Sequence, residues 1–411
     1  MLIPEINLSP QTLARFQARF TCPISLIHSG LSEHQRLKAW WAAASGSAGI
    51  IIGTRSAAFV PMKSPGIIIV DEEHDSSFKQ QEGFRYSARD VAVMRASREN
   101  IPLLLGSATP SLESLYNCQQ ARYQHITIKG RHEGASQAVW QLVDIRHSQL
   151  NTGFSQTVIE AISIQLAEGN QVLVFLNRRG FAPTLMCHDC GWVARCKHCD
   201  AHLTVHTNRP GLHCHHCEAR QPLPTTCPEC NSQQLNYLGQ GTERSEATLK
   251  ALFPETEVYR VDRDSTGNKH AMEDLLSQIN KNEPCILVGT QMLAKGHHFP
   301  GVTLVVVLDA DTALFSTDFR ALEKMGQLIT QVAGRAGRGA KPGVVMIQSH
   351  HCEHPVFELL SQQSYAKFAQ HVLAERQLSA MPPFTNAALI RAEFHHGGEA
   401  FGLFQSARAF L

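Results

Sequence analysis

The sequence predicts an α/β protein made of two parallel-sheet units, the second of which carries an inserted cysteine-rich block. Three observations support this fold class. Short, almost wholly apolar segments alternate with helical patterns in the first third of the chain, and the alternation recurs after Ser155. Parallel strands that are covered by helices on both faces have this composition. Between Cys187 and Cys230, four Cys-x-x-Cys pairs interrupt the second series.

The predicted elements follow one another along the chain. A helix is predicted from Ser9 to Phe20, because Ser9 is a good N-cap and Pro10 suits the first helical position. The first unit has strand candidates at Ile24–Ile27, Ile50–Gly53, Ile67–Val70 and Leu103–Leu105. The second unit has helices at Val158–Glu168, Ala271–Asn280 and Phe319–Ala333 and strands at Val172–Leu176, Val258–Val261, Ile286–Gly289, Leu304–Leu308 and Val344–Ile347. Helical segments follow Ser349, and Ala387–Phe394 is a last strand candidate.

Composition limits the classes of protein to which the chain can belong. The 411 residues are 43% hydrophobic and 18% charged, which predicts two or three folded domains and excludes a disordered or collagen-like chain. The 37 basic and 36 acidic residues give a formal charge of +1, so a nucleic-acid surface must be a local patch. No apolar run is long enough to span a membrane, and Met1–Phe16 carries Glu5 and no basic leader. We therefore expect neither a membrane partner nor a secretory signal.

The cysteine-rich block predicts metal binding in a reducing, cytoplasmic compartment. Eight of the twelve cysteines lie in Cys-x-x-Cys pairs, and thiolates at this spacing favour tetrahedral Zn²⁺ sites. Each site needs two pairs, so the block would hold two zinc ions in one of three possible pairings. The gap of 14 residues between Cys199 and Cys214 is close to that of a zinc-ribbon hairpin. We therefore predict an inner site of Cys196, Cys199, Cys214 and Cys217 and an outer site of Cys187, Cys190, Cys227 and Cys230. An iron–sulfur cluster is the minor alternative.

An apolar strand that ends in paired acids predicts a nucleotide site. Ile67–Val70 leads directly into Asp71 and Glu72, with His74 two residues further on. In such a Walker B-like segment, the first acid holds Mg²⁺ and the second orients the attacking water. Taken alone, the same residues are equally well explained as an acidic turn after a buried strand.

Two further motifs follow these acids along the chain. One is a loop of small and hydroxyl residues after a strand, which suits a link between hydrolysis and the second unit. The other is a glycine-rich helix end, where two arginines can reach a γ-phosphate across a cleft. The alternative for either arginine alone is a surface charge, but three motifs in this order make coincidence remote. The candidate residues are Gly106, Ser107 and Thr109 in the loop and Gln331, Arg335 and Arg338 at the helix end.

With the four-pair block inserted between them, these motifs make the chain resemble the superfamily 2 helicases. Among these it resembles the family of primosomal replication-restart helicases over essentially its whole length. Segments similar to the helicase motifs Ia, Ib, IV and V lie at Leu2–Leu8, Gly53–Ala57, Val174–Gly180 and Gly289–Gly296. The resemblance implies a 3′→5′ DNA helicase that uses ATP with Mg²⁺, binds stalled forks and helps to load the replicative helicase. The implied partners are single-stranded and forked DNA, primosome proteins and single-stranded DNA-binding protein.

The resemblance also divides the chain into segments. It implies two RecA-like helicase lobes, of which the first is incomplete, an inserted double zinc-binding domain and a truncated α+β C-terminal domain. The predicted bounds are 1–130 for the first lobe, 131–185 for a linker and the start of the second lobe, 186–232 for the zinc-binding insertion, 233–349 for the rest of the second lobe and 350–411 for the C-terminal domain.

Candidate DNA contacts come from the same resemblance. The loop between His74 and Asp90 is similar to an aromatic-rich loop of the family, and aromatic faces beside cations suit single-stranded DNA. The alternative for Phe78 and Phe84 is that they pack beneath the loop. The loop candidates are Phe78, Lys79, Phe84, Arg85, Tyr86 and Arg89, and those from other motifs are Arg55, Thr290 and Lys295, with Gly296 assigned to the nucleotide.

One motif of the family is missing from the sequence. No G-x-x-x-x-G-K-[ST] occurs, so the chain lacks the loop that cradles the phosphates, with its lysine and its Mg²⁺-binding hydroxyl. We therefore interpret the chain as an internal fragment without the P-loop and the N-terminal DNA-binding domain, and we predict that alone it hydrolyses no ATP. Two classes of function stay open. One is a helicase that is active once the missing portion is supplied, and the other is a non-catalytic zinc-bearing module that binds DNA or a partner.

Overall fold

The computed structural model describes residues 1–4, 9–128, 138–176, 184–199, 201–205, 211–214, 217–237, 242–261, 275–290, 293, 299–316, 318–337, 342–362, 364–388 and 402. These residues form two parallel-sheet units, a cysteine-rich block and a pair of helices that follow the second sheet. None of the helices in this described part is long and apolar enough to cross a bilayer.

The strands are, in chain order, β1 (Ile24–Ile27), β2 (Ile50–Gly53), β3 (Ile68–Asp71), β4 (Leu103–Gly106), β5 (Val139–Asp144), β6 (Leu150–Asn151), β7 (Phe154–Ser155), β8 (Gln171–Leu176), β9 (Leu185–Cys187), β10 (Thr204–Val205), β11 (Leu212–His213), β12 (Arg220–Gln221), β13 (Leu235–Tyr237), β14 (Glu257–Val261), β15 (Cys285–Gly289), β16 (Val302–Leu308) and β17 (Val344–Ser349). The α-helices are α1 (Ser9–Arg19), α2 (Glu33–Ser45), α3 (Ala88–Glu99), α4 (Leu112–Gln119), α5 (Gln156–Ala167), α6 (Thr242–Leu252), α7 (Ala321–Ala333), α8 (Pro355–Ser361) and α9 (Tyr365–Leu378).

The first unit contains two pairs of short parallel strands, β1 with β2 and β3 with β4. Leu2 bridges β2 and β3 in parallel, and its backbone N–H donates to the Ile69 carbonyl at 2.7 Å. Helices α2, α3 and α4 begin at serine caps, since Ser32, Ser87 and Ser111 each accept a backbone N–H from the first turn. These caps satisfy N–H groups that have no acceptor within the helix.

The second unit is a six-stranded sheet whose centre is buried on both faces. The strand order is β14-β15-β8-β16-β17-β5, and every neighbouring pair is parallel. β8 and β16 are buried at every residue. Their side chains enter two apolar clusters, one against α7 and the other against α5. This burial on both sides explains why these strands are continuous apolar runs in the sequence.

The cysteine-rich block is made of much shorter strands. β9 pairs antiparallel with β13, and β10, β11 and β12 form a small antiparallel sheet. The strands are two or three residues long, and their apolar side chains form a small cluster that includes Leu185, Leu203 and Leu212. Two of the metal-site candidates, Cys196 and Cys214, belong to the same cluster.

The helices α8 and α9 share the apolar core of the second sheet. Phe357 of α8 and Phe368 of α9 are fully buried in the cluster that also covers α7. The approach of α9 to α7 requires a glycine, because a Cβ on Gly326 would lie 2.1 Å from the Phe368 ring. The residues that follow β17 are therefore packed as an extension of the second unit.

The strand predictions for both sheets are confirmed, with ends that differ by one or two residues. Two details of the prediction are wrong. First, the second sheet begins at β5, which pairs with β17, and not near Ser155. Second, Ser9 is the first residue of α1 and not its N-cap. The sequence analysis gives no bounds for α2, α3 and α4, although it expects helices between the strands of the first unit. The elements predicted at Ala271–Asn280 and Ala387–Phe394 lie partly outside the described residues, and the domain bounds stay predictions.

Candidate functional site

The carboxyl ends of β3 and β4 meet at one edge of the first unit. Asp71 ends β3 directly opposite Gly106 of β4. Glu72 follows with a positive φ of 48°, and its N–H donates to the Asp71 carboxylate at 3.1 Å. Burial raises the pKa of the Asp71 carboxyl above its ordinary value. A divalent cation would favour the ionised carboxylate, so Asp71 remains the candidate Mg²⁺ ligand.

The third acid of this turn, Glu73, is buried and ties the turn to two helices. Its carboxylate accepts the N–H and hydroxyl of Ser111 at 2.7 and 3.0 Å, and the Ser114 hydroxyl at 3.0 Å. The Arg89 guanidinium donates to it at 3.1 Å. The sequence predicts no role for Glu73, because nothing in the pattern shows that Ser111 and Arg89 fold back onto it.

His74 is the residue at which the acidic turn meets the second unit. Its Nδ1 lies 2.7 Å from the Ser107 hydroxyl, and its Nε2 lies 2.8 Å from Nε2 of Gln331. Because an amide nitrogen only donates, His74 Nε2 accepts, and the Nδ1–H of a neutral ring then donates to Ser107. The acidic turn, the loop after β4 and the end of α7 are therefore joined by the hydrogen bonds of His74 with Ser107 and Gln331.

The loop of residues 106–110 lies between the two units. Thr109 is fully buried, and its carbonyl accepts from Nε2 of Gln327 at 3.4 Å. Thr109 therefore links the loop to α7, and its place in the nucleotide site stays a prediction. Gly106 and Ser107 remain beside the acidic turn, as predicted for a loop that connects the two units.

The predicted phosphate-contacting arginines are only partly described. Arg335 is buried just beyond the end of α7, with 8% of its surface exposed. Its burial places it away from the outer surface. Arg338 and Gly296 lie outside the described residues. The roles of these three residues stay predictions.

The eight cysteines of the block form two separate groups of four sulfurs. The groups are Cys187, Cys190, Cys227 and Cys230, and Cys196, Cys199, Cys214 and Cys217, which is the nested pairing that the sequence predicts. Facing sulfurs lie 3.6 Å apart in the outer group and 3.5 Å apart in the inner group. Zn–S bonds of about 2.3 Å in a tetrahedron require sulfur–sulfur edges of roughly 3.8 Å. The donor set and spacing therefore fit two zinc ions.

Backbone groups of the block supply hydrogen bonds to the thiolates. The N–H groups of Trp192 and His198 lie 3.4 Å from the sulfurs of Cys190 and Cys196. Such donors stabilise the negative charge that remains on a four-thiolate zinc site. The structure thus contains the backbone donors that a site of this charge needs.

The outer zinc site is docked onto the second sheet through a histidine pair. His188 lies between two of the outer cysteines, and its ring nitrogens lie 2.7 Å from the Ser148 carbonyl and 2.9 Å from Nε2 of His350. His350 in turn contacts the buried carboxylate of Asp311 at 2.9 Å. His188 is buried and bonded at both ring nitrogens, a role that the cysteine spacing does not predict.

An exposed row of aromatic rings lies beside the acidic turn. Phe84 is 79% exposed and stacks on Tyr86 at 5.9 Å between ring centroids. Phe59, which is 51% exposed, meets the other side of Tyr86 edge-on at 4.8 Å. Lys79 and Arg85 are exposed on the same loop. We call Phe59, Tyr86 and Phe84 the aromatic row; the sequence signal for Phe59 is only its place two residues after the motif Ib-like segment.

Several predicted DNA contacts are corrected by burial or by existing partners. Phe78 is 2% exposed and packs in the core, so the packing alternative is correct for Phe78 and wrong for Phe84. Arg89 is held by Glu73, and Arg55 donates to the carbonyls of residues 77 and 79, so both arginines support the fold. Thr290 is 5% exposed, and its role as a DNA contact stays a prediction. Lys295 lies outside the described residues.

Three family models match parts of the chain. They are described as DEAD/DEAH box helicase over residues 1–118, PriA DNA helicase Cys-rich region domain over residues 196–222, and helicase conserved C-terminal domain over residues 231–340. Together they match the first sheet unit, part of the second sheet and the inner zinc site.

Curated relatives match nearly the whole chain. It is 49% identical over 396 residues to the replication restart protein PriA of Haemophilus influenzae, covering 96% of this chain and 54% of the relative. It is 43% identical to the PriA of Bacillus subtilis, covering 95% of this chain and 49% of the relative. The chain thus spans about half the length of the curated relatives it matches. A solved structure of RecG bound to a three-way DNA junction overlaps 99% of this chain and 42% of its own at 13% identity and a TM-score of 0.48, a likeness too distant to bear on function.

Proposed function

Because the chain belongs to the family of the replication restart protein PriA, we propose that it forms the two-lobed part of an ATP-driven 3′→5′ DNA helicase. In this proposal the two sheet units are the RecA-like lobes, and the protein acts at stalled replication forks and helps to load the replicative helicase. The proposed segment bounds are those predicted from the sequence, and limited proteolysis of the zinc-loaded chain would test them.

The observation that carries the proposal is the contact between His74 and Gln331. A motor that couples hydrolysis to movement needs a group beside the nucleotide that senses the position of the second lobe. His74 follows the candidate Mg²⁺ ligand by three residues, contacts the loop after β4 through Ser107 and reaches α7 through Gln331. A movement of the second lobe would therefore break or form the bond at His74 Nε2, and His74 would transmit that change to the acidic turn.

The nucleotide chemistry is proposed residue by residue. Asp71 would hold Mg²⁺ on ATP, Glu72 would orient the attacking water, and Arg335 with Arg338 would stabilise charge on the γ-phosphate. The phosphate-cradling motif is not in this sequence, so we expect the chain alone to release no phosphate from ATP even with DNA present. Phosphate release would be measured with and without single-stranded DNA, with Asp71→Asn as the control for a contaminating ATPase. Release that depends on Asp71 would show that another segment holds the phosphates.

Single-stranded DNA is the proposed ligand of the aromatic row. Bases stack on exposed rings, and Lys79 and Arg85 would track the phosphates. Removing one stacking ring costs about 1–3 kcal/mol, so Phe84→Ala should weaken binding of a fluorescent oligothymidylate roughly 5- to 150-fold. Fluorescence anisotropy measures this directly at fixed salt.

Trp41→Ala is the matched control for that experiment. Trp41 is an exposed ring on α2, with 66% of its surface exposed, and it lies outside the aromatic row. We expect Trp41→Ala to leave the affinity unchanged. Equal losses in both variants would contradict a specific DNA site at the row.

The remaining partners are proposed from the family alone. Primosome proteins and single-stranded DNA-binding protein would assemble on the complete helicase, in the cytoplasm. Binding of the purified chain to each purified partner, measured by interferometry, would show which of these contacts this part of the protein makes. Absence of all of them would place the partner surfaces in parts of the relatives that the chain does not span.

A further inference from the structure

Arg376 is a buried cation that the proposed mechanism does not use. It lies near the end of α9 with 4% of its surface exposed. Its guanidinium donates to the Glu323 carboxylate at 2.7 Å and to the carbonyls of Phe319 and Pro382 at 3.2 Å. Arg376 also lies over the Phe319 ring at 5.0 Å. An arginine with this many fixed partners holds its neighbours in one geometry.

Glu323 connects Arg376 to the first unit, because its carboxylate binds groups of both units. The side chain begins on α7, and its second carboxylate oxygen accepts the backbone N–H of Leu112 at 2.9 Å. Leu112 is the first residue of α4, where an N–H has no acceptor within its own helix. Glu323 therefore supplies from the second unit the acceptor that the start of α4 lacks.

A second contact from α9 reaches the neighbouring residue. The Tyr365 hydroxyl, at the start of α9, donates to the Pro110 carbonyl at 2.8 Å. Between these two points, the N–H of Ser111 donates to Glu73 at 2.7 Å. Three consecutive residues, 110 to 112, are thus bound on one side by the acidic turn and on the other by α7 and α9.

We propose that Arg376 and Tyr365 are positioning residues through which α9 fixes residues 106–112 against the second lobe and so sets the arrangement of the two lobes. Arg376 acts through Glu323, whose carboxylate it orients toward Leu112. The His74–Gln331 contact forms in the same arrangement, because His74 and Leu112 both approach α7. The inference concerns lobe arrangement and stands whether or not the chain takes part in DNA unwinding.

The amide of Leu112 is a specific reporter for this contact. Amide hydrogen exchange at single-residue resolution would be compared in the zinc-loaded full chain and its variants. The variant Glu323→Gln/Arg376→Met removes both charges together, so no unpaired charge stays buried, and it keeps a side-chain oxygen at residue 323 that can accept from Leu112. We expect Leu112 to exchange at least tenfold faster in this variant, while the amides of β8 and β16 exchange as before. Unchanged exchange at Leu112 would overturn the proposal.

Further variants separate positioning from general stability. Arg376→Lys keeps a cation beside Glu323 and should restore at least half of the lost protection on a logarithmic scale. Tyr365→Phe removes only the hydroxyl and should speed exchange near residues 110–112 by a smaller factor. An equal rise at β8 and β16 in any variant would mean a general loss of stability and would also overturn the proposal.

Arg320→Met is the matched control. Arg320 and Glu113 form another ion pair between the two units at 3.3 Å, but the Arg320 side chain is 48% exposed. Exposed pairs contribute little, so exchange at Leu112 should change less than twofold. An effect as large as that of the double variant would show that any charge at this boundary suffices, which contradicts a specific role for Arg376.

Discussion

Strand β16 is buried at all seven residues between two apolar clusters, whereas the strands of the cysteine-rich block are two or three residues long around a small cluster. The sheet buries enough apolar surface to be stable on its own side chains. A block of this size does not, because small domains bury a smaller fraction of their surface than large ones. Metal binding by its eight cysteines would supply the stability that a larger apolar core supplies elsewhere.

The cysteine-rich block is attached to the second sheet by two kinds of contact. The outer site is bonded to the sheet through His188, His350 and Asp311, and Met186 and Val193 pack against Phe315 of the second unit. A metal-stabilised element is therefore joined to an apolar-core element by both polar and apolar contacts. We expect the two regions to respond very differently to metal removal and to core substitutions.

The largest effect should come from removing zinc. Structural zinc contributes about 10–16 kcal/mol to the folding of zinc-finger peptides, and the small cluster here cannot replace it. Chelation should release two zinc ions per chain and expose the amides of β9–β13 to rapid exchange. Elemental analysis and hydrogen exchange measure the two results together.

The sheet is the internal control for that experiment. Amide exchange in β8 and β16 should change less than twofold on chelation, because their protection comes from the apolar clusters. A loss of amide protection in the block and in the sheet together would contradict the view that zinc stabilises the one and apolar packing the other. A protected block after complete loss of zinc would contradict it as well.

The next effect contrasts a buried leucine with a half-exposed one. Leu173 of β8 is fully buried, so Leu173→Ala should lower the free energy of unfolding by about 2–5 kcal/mol. Leu104 of β4 is 50% exposed, so Leu104→Ala should lower it by about 0.5–1 kcal/mol. Urea unfolding followed by circular dichroism gives both values. Equal costs would mean that the first unit is as tightly packed as the second.

The smallest of these effects tests the packing of α9 on α7. A Cβ on Gly326 would lie 2.1 Å from the Phe368 ring, so Gly326→Ala should cost about 1–3 kcal/mol in unfolding free energy. A Cβ on Gly66 would have nothing within 4 Å, so Gly66→Ala should be neutral or slightly stabilising. The same urea titration compares the two, and a neutral Gly326→Ala would show that α9 can move away from α7.

The features that can be predicted from the sequence are those set by residues close together in the chain. Apolar runs predict the strands of both units. In the second sheet, burial of β8 and β16 on both faces explains these runs, whereas Leu104 of β4 in the first unit is half-exposed. Cysteine spacing gave the nested zinc pairing, because a Cys-x-x-Cys turn fixes the distance between two sulfurs. The family motifs placed His74, Ser107 and Gln331 in one site, although their contacts join residues 33 and 257 positions apart.

The features that sequence could not give depend on distant neighbours. Phe78 and Phe84 are the same residue type on the same loop, yet one is 2% and the other 79% exposed, because only Phe78 lies over the core of the first unit. Arg89 is a candidate DNA contact by its place in the loop, but its guanidinium donates to the buried carboxylate of Glu73, which the sequence does not indicate. The helix α2 gives a weak pattern because it packs through Ala39 and Ala43 and leaves Trp41 exposed.

The most direct test of the account is a double-mutant cycle on His74 and Gln331. The contact between these two side chains joins the acidic turn to the second lobe. Unfolding free energies would be measured for the parent chain, His74→Ala, Gln331→Ala and the double variant. Residues in direct hydrogen-bond contact show coupling energies of about 0.5–3 kcal/mol, and we predict a value in that range. Strictly additive losses would mean that the two side chains do not meet in solution, and would contradict the proposed communication between the lobes.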